Sequence, residues 1–282
     1  MVKQSTLIKY YSNQKVAEEL VRVSTDREVA VNFRGRGFGK RPSVLQFPAE
    51  VEKLVREGAM SFHISEERWR DPMLLRTEMS KKDLDELRIG WDFIIDIDCP
   101  WFEYSTTAAR ILLEALKQHG VKASIKFSGN RGWHIGVPFE AFPSKVGNRE
   151  TRSLFPSITA IIINYLKSYI EDVLKERIIE FEGGDIKNIL KRTGKNKKDF
   201  VKEGKIDIFA LIDLDIALGS SRHLIRAPYS IHEKTGLVSV VIDADKLDCF
   251  KKDMAKPENV KICLLYTSPS PRDLSTSRMP SS

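Results

Sequence analysis

The sequence predicts an α/β fold, with mixed and antiparallel strands flanked by helices. Two patterns carry that prediction. Short stretches alternate apolar and polar residues, the period of a half-buried strand, and longer ones place apolar residues three and four apart, the period of a helix packed on one side. A third observation sets the scale: 282 residues, 41% of them hydrophobic, can bury a substantial core.

Taken in order, Leu7, Tyr10, Tyr11, Val16, Leu20 and Val21 fall mostly at helical spacing, so a helix or helix pair is expected over residues 6–22. Residues 27–33 (REVAVNF) alternate as a strand, RGRGFGKRP supplies a glycine-rich turn, and residues 43–47 read as another short extended piece. Residues 48–58 read as a helix and GAMSFHIS as a strand, followed by a charged connector over 66–87. The acidic strand FIIDIDCPWF comes next. Residues 106–119 form an amphipathic helix with Ala108, Ile111, Leu112, Ala115 and Leu116 on one side and Gly120 placed to end it. Residues 122–127 and 133–137 are expected to pair as a hairpin around SGNRG. A helix is expected from about 154 to 174, an apolar stretch with interleaved aspartates over 206–218, and a late strand over 237–242. Strands thus bracket a helical insertion, and no internal repeat is present.

Composition narrows the function classes. No apolar run approaches about 20 residues and the first fifteen residues lack the apolar segment of a signal peptide, so a cytoplasmic protein with no membrane partner is expected. Cys99, Cys249 and Cys263 are too scattered for a disulfide framework or a paired-cysteine zinc site, and reduced thiols are expected. The net charge of +7 favours a polyanionic partner such as nucleic acid. Residues 187–205 carry eight Lys/Arg against Asp199 and Glu203, which reads either as a solvated loop or as a surface that tracks phosphates. Residues 263–282 turn abruptly to Ser, Pro and Thr, the composition of a disordered and non-native tail. Setting them aside removes two arginines and one aspartate and leaves +6.

Three motifs carry chemistry. In FIIDIDCPWF, Asp96 and Asp98 share one strand face, with Cα atoms roughly 6.5–7 Å apart. Two carboxylates so placed repel each other, and burying either without a partner is costly. A pair of divalent cations used in phosphoryl transfer is one reason to place them there; a strand end whose aspartates cap a turn before Cys99 and Pro100 is the other. The second motif, KFSGNRGWHIGV, sets Ser128, Arg131 and His134 beside glycines that let backbone N–H groups approach an anion, or else it is a polar hairpin with a partly buried histidine. The third, RHLIRAPYSIHEKTGLVSV, crowds Arg222, His223, Arg226, His232 and Lys234 into thirteen residues, a candidate triphosphate cradle. Asp213 and Asp215 precede it and repeat the Asp-x-Asp spacing.

In this order the motifs resemble the catalytic small subunit of archaeal and eukaryotic DNA primases, from the REVAV strand to about Ile242. The resemblance implies the archaeo-eukaryotic primase catalytic fold over residues 1–262, with a helical, basic insertion at about 145–205. It also implies synthesis of short primers from nucleoside triphosphates on a single-stranded DNA template, and a primase large subunit as heterodimer partner. By position, Asp96, Asp98 and Asp215 would be catalytic and hold two Mg²⁺ or Mn²⁺ ions, with Asp213 in reserve because the spacing to His223 is shorter than usual. Ser128, Arg131 and His134, and then His223, Arg226 and His232, would bind the nucleotide. Asn130 departs from the family's usual basic residue. Such subunits usually carry a zinc knuckle after the acidic strand; only Cys99 lies near, so no structural zinc is expected. A repair polymerase of the same superfamily, a non-catalytic single-strand-binding subunit and a nuclease are the rival classes.

Overall fold

The computed structural model describes residues 2–202, 205–216 and 221–262. Helices α1 (Gln4–Tyr11) and α2 (Gln14–Val23) open the chain. Strands β1 (Val29–Phe33) and β2 (Gly37–Phe38), helix α3 (Pro48–Arg56) and strands β3 (Ala59–Ser65) and β4 (Glu67–Trp69) follow. Helix α4 (Lys81–Leu87) leads to β5 (Arg88–Trp91) and the acidic strand β6 (Phe93–Asp98), then helix α5 (Phe102–Gln118). The hairpin β7 (Ser124–Phe127) and β8 (Trp133–Val137) precedes a small ribbon of β9 (Lys145–Val146) and β10 (Arg149–Glu150). Helices α6 (Ser157–Phe181) and α7 (Ile186–Thr193) lead to a second ribbon, β11 (Val201–Lys202) and β12 (Lys205–Ile206). The chain then returns through β13 (Asp213–Ile216), β14 (Leu224–Arg226) and β15 (Val241–Ile242).

Two antiparallel sheets organise these elements. One runs β13-β6-β8-β7-β15 and the other β14-β3-β1-β2. In β6 alternation is strict: Phe93, Ile95 and Ile97 are buried, and Asp96 and Asp98 face the other way. Helix α5 covers the buried face and α6 packs against α5 and β13, while α1, α2 and α3 cover the four-stranded sheet. Under the hairpin, Phe102, Phe127, Trp133 and Phe250 stack and edge against one another within about 6 Å, a rigid apolar floor for the polar face above.

Several expected boundaries move. The helix expected from residue 106 starts at Phe102, because Ser105 and Thr106 spend their hydroxyls on the Phe102 carbonyl inside the first turn. The connector over 66–87 is ordered. Its Trp69, Leu75 and Leu84 form a small separate core, and β4 pairs with β5 as a ribbon. Residues 43–47 join no sheet, although the Ser43 carbonyl accepts from Val29 N–H. The late strand shrinks to β15 plus an isolated bridge between Ile231 and Val238. The stretch expected over 206–218 ends, and the tail over 263–282 lies, outside the described residues.

Candidate active site

The acidic centre is built by register. Strand β13 pairs with β6 so that Asp215 stands opposite Asp96 and Asp213 opposite Asp98, putting four carboxylates on one face. Continuing across the sheet, Asp96 faces His134 on β8, and His134 faces Lys126 on β7. One row thus reads Asp215, Asp96, His134, Lys126. Burial and the charges of Asp98, Asp215 and Asp213 push Asp96 up to about 6, with Lys126 opposing them. Burial and Asp213 likewise raise Asp215. This repulsion is what a hard divalent cation relieves, and oxygen donors suit Mg²⁺ or Mn²⁺. Asp98 is turned to Arg131, 2.7 Å away at the surface, and among the described residues no three such groups converge as they stand into a cation cage. The donor set fits such an ion; closing around it means drawing Asp98 off Arg131.

Side chains from the second motif take distinct positions. His134 is nine-tenths buried, with Nε2 3.4 Å from Asp96 and Nδ1 lacking a partner among the described residues. Burial and the nearby Lys126 and Arg226 hold it neutral, well below the usual imidazole range. Ser128 accepts at Oγ from Asn130 N–H (3.3 Å) and Gly132 N–H (3.2 Å), so its hydroxyl shapes the turn. Gly132 is required by contact: a Cβ there would lie 1.7 Å from the Ile97 carbonyl oxygen. Gly129 has φ +93°, and a Cβ on it would meet His232 Cβ at 2.8 Å. Thr235 Oγ1 donates to the Gly129 carbonyl at 2.6 Å, so the second and third motifs are clasped together.

The third motif is anchored on the other sheet. Strand β14 pairs with β3, placing Arg226 opposite His63 and Leu224 opposite Ser65. Arg226 bears on His134 and Lys126 but not as a free guanidinium: it donates to Glu233 at 2.7 Å and to the Ile231 carbonyl at 2.9 Å. Arg222, with φ +67°, serves the core instead, bridging to buried Glu28, which Arg41 also holds. His232 accepts at Nδ1 from the Lys234 and Thr235 N–H groups, which leaves Nε2–H as a donor without a partner among the described residues; burial and Arg226 lower it to about 4. His223 donates from Nδ1 to Glu66 at 3.4 Å; that bond, with Asp96 and Asp215 nearby, raises it.

Residue-by-residue reading missed Lys126, His63, Glu66 and Glu233. Lys126 is 7% exposed, and its Nζ donates to the Arg226 carbonyl and to Ser239 Oγ, both at 2.9 Å, tying the two sheets together. Burial and Arg226 lower its ammonium to about 7. His63 sits buried between Arg226, Glu233 and the ring of Phe38, with Nδ1 unpartnered among the described residues. Lys126 left a signal in sequence, at an alternate position two residues before Ser128, and Glu233 lies inside the third motif. Beyond the acidic strand, α7 exposes Lys187 and Lys191, followed by exposed Lys197 and Lys198, while the Arg192 carbonyl accepts from Trp101 Nε1 at 3.1 Å. The basic segment therefore adjoins the acidic end of β6.

Two antiparallel sheets, with carboxylates on one and a cationic, histidine-rich segment on the other, have the architecture of the primase-polymerase fold. The polymerase domain of ligase D from Mycobacterium tuberculosis, solved in complex with DNA, matches with a TM-score of 0.57 at 14% identity. That match covers 87% of this chain and 83% of that one. Residues 98–244 match the family model described as DNA primase small subunit, and the chain belongs to that family. The DNA primase small subunit PriS of Pyrobaculum aerophilum is 34% identical over 133 residues, 44% of this chain and 37% of that protein. Its counterpart in Pyrobaculum calidifontis is 28% identical over 159 residues, 55% and 47% respectively. The chain thus spans less than half the length of these relatives. Among the described residues no helix is long and apolar enough to cross a membrane.

Proposed function

We propose that the protein is a DNA-dependent nucleotidyltransferase that starts short primers from nucleoside triphosphates on a single-stranded DNA template. The observation that carries this reading is the register of β6 and β13, which sets Asp96, Asp98 and Asp215, with Asp213 beside them, across from the clasped second and third motifs. Asp96, Asp98 and Asp215 would hold Mg²⁺ or Mn²⁺, which supplies charge neutralisation at the phosphates and acidity at the attacking hydroxyl. The chain's own groups do the positioning. His232 Nε2–H, His223, Arg131 and the turn at Ser128 offer donors to the triphosphate oxygens, and Lys126 adds positive field from beneath. Arg226 contributes through Glu233 and through the carbonyl that holds Lys126. Lys187, Lys191, Lys197 and Lys198 give the template a phosphate-tracking surface, so binding should weaken steeply with salt and carry little sequence preference. A large subunit is the partner this family membership suggests.

The fold shared with a ligase polymerase domain favours a second reading, extension of existing ends. Synthesis on a homopolymer template, with each ribo- and deoxynucleotide in turn and with Mg²⁺ or Mn²⁺, separates the two. Dinucleotide formation without a primer supports priming, and products only from a pre-annealed primer support extension. The Asp96→Asn, Asp98→Asn double variant should abolish either activity and keep single-strand binding; persistent synthesis would overturn the acidic-centre assignment.

A further inference from the structure

Behind His223 stands Glu66, the single residue between β3 and β4. Its backbone is pinned on two sides, the carbonyl accepting from Arg27 Nη1 at 3.0 Å and from Asp92 N–H at 3.0 Å. Its side chain is 5% exposed and faces His223, which the pairing of Leu224 with Ser65 brings alongside. Arg222, just before His223, is fixed by Glu28 and Glu67, so the histidine's backbone has little freedom. With Nδ1 committed to Glu66, the ring nitrogen left for the pocket is Nε2, and the side chain keeps about a third of its surface open.

We propose that Glu66 is a positioning residue of this site: its carboxylate accepts the Nδ1 proton of His223 and holds the ring charged, so that Nε2–H donates to the terminal phosphates of a bound nucleoside triphosphate. This rests on the nucleotidyl-transfer reading above. No proton leaves the pair; the imidazolium acts as a fixed charged donor, the geometry in which a carboxylate behind a histidine sets its tautomer and orientation. The groups that face the pair come from every neighbouring element. Glu66 from the β3–β4 junction, Asp96 from β6 and Asp215 from β13 all favour the charged ring. His134 on β8 senses the same charge. Glu67 and Arg27 bear on Glu66, whose burial raises it to about 7. A structural tie between β4 and β14 would use the same contact without any effect on ligand, and the test separates the two.

Glu66→Gln keeps the shape and removes the charge; Glu66→Asp keeps the charge and serves if the first variant folds poorly. The His223 ring is followed by NMR without nucleotide, and MgATP affinity is measured from pH 5.5 to 8.5. In Glu66→Gln the His223 titration should move to lower pH. MgATP affinity should fall about ten- to a hundredfold at pH 8, and the loss should shrink towards pH 5.5, because acid favours the charged ring with or without the carboxylate. Glu66→Asp should recover part of the loss at pH 8. An unmoved His223 titration, or a loss of affinity equal at all pH values, overturns the proposal. A wild-type protein that binds no MgATP at any pH while its His223 titration still depends on Glu66 overturns the nucleotidyl-transfer reading instead, and with it the phosphate role of the pair.

Discussion

Replacing Lys126 by Met should make the protein more stable at neutral and acid pH while impairing the site. In the folded chain the amine is held to about 7 against the ordinary 10.5, chiefly by burial and then by Arg226. Between those values the unfolded chain carries the proton and the folded one does not, so the unfolded state binds more protons and wild-type stability rises with pH. Below about 7 both are protonated, and the folded state bears the full cost of a buried charge, roughly 4–5 kcal/mol at 1.36 kcal/mol per pH unit. Methionine removes that cost but leaves the Arg226 carbonyl and Ser239 Oγ without their donor, a loss of about 1–3 kcal/mol. The net at pH 6 is a gain of roughly 1–4 kcal/mol, and near pH 10.5 the sign reverses to a loss of about 1–3 kcal/mol. Urea unfolding of both proteins at pH 6, 8 and 10 measures this, while MgATP affinity should fall most at pH 6, where the folded amine is charged, and less at pH 8 and 10. A stability difference that does not change with pH would refute the reasoning, because it would mean that the amine is not held away from its ordinary titration.

Other positions test the scaffold. Gly132→Ala places a Cβ 1.7 Å from the Ile97 carbonyl oxygen and 3.3 Å from Asp98 Cα, so β6 and the hairpin turn must part; turnover should fall about a hundredfold, read by primer synthesis, with a lower Tm. Gly129→Ala, at φ +93° and against His232, should weaken MgATP binding more than it lowers stability, as titration calorimetry beside thermal melting will show. Glu28→Ala leaves Arg41 and Arg222 without their buried carboxylate and should cost about 3–5 kcal/mol in urea unfolding, with Arg41 and Arg222 binding no tighter to any added anion.

Much of the fold was legible because it is periodic. The aspartates of β6 alternate with isoleucines, the hairpin turn is spelled SGNRG, and α5 carries a clear apolar side, so each could be read from near neighbours in the chain. The candidate site was legible only where its residues sit in motifs. Lys126 reads as an ordinary strand lysine until β14 is known to lie over it, and Glu66 as part of a charged connector until Leu224 is paired with Ser65. Arg222 and Arg226 look equivalent in sequence, yet one closes a buried network with Glu28 and the other pairs with Glu233, because Arg222 lies before β14 on left-handed backbone (φ +67°) while Arg226 sits within the strand opposite His63. Tertiary pairing decides such cases, and one-dimensional spacing does not contain it.

The clasp between Gly129 and the His232–Thr235 turn reaches beyond packing. Two loops about a hundred residues apart in the chain are latched with no room for even a methyl group between them, so they must travel as one jaw. Any breathing that admits or releases a ligand therefore moves both loops together, and the surface ion pair of Asp98 with Arg131 is the contact between them and the acidic strand that can open.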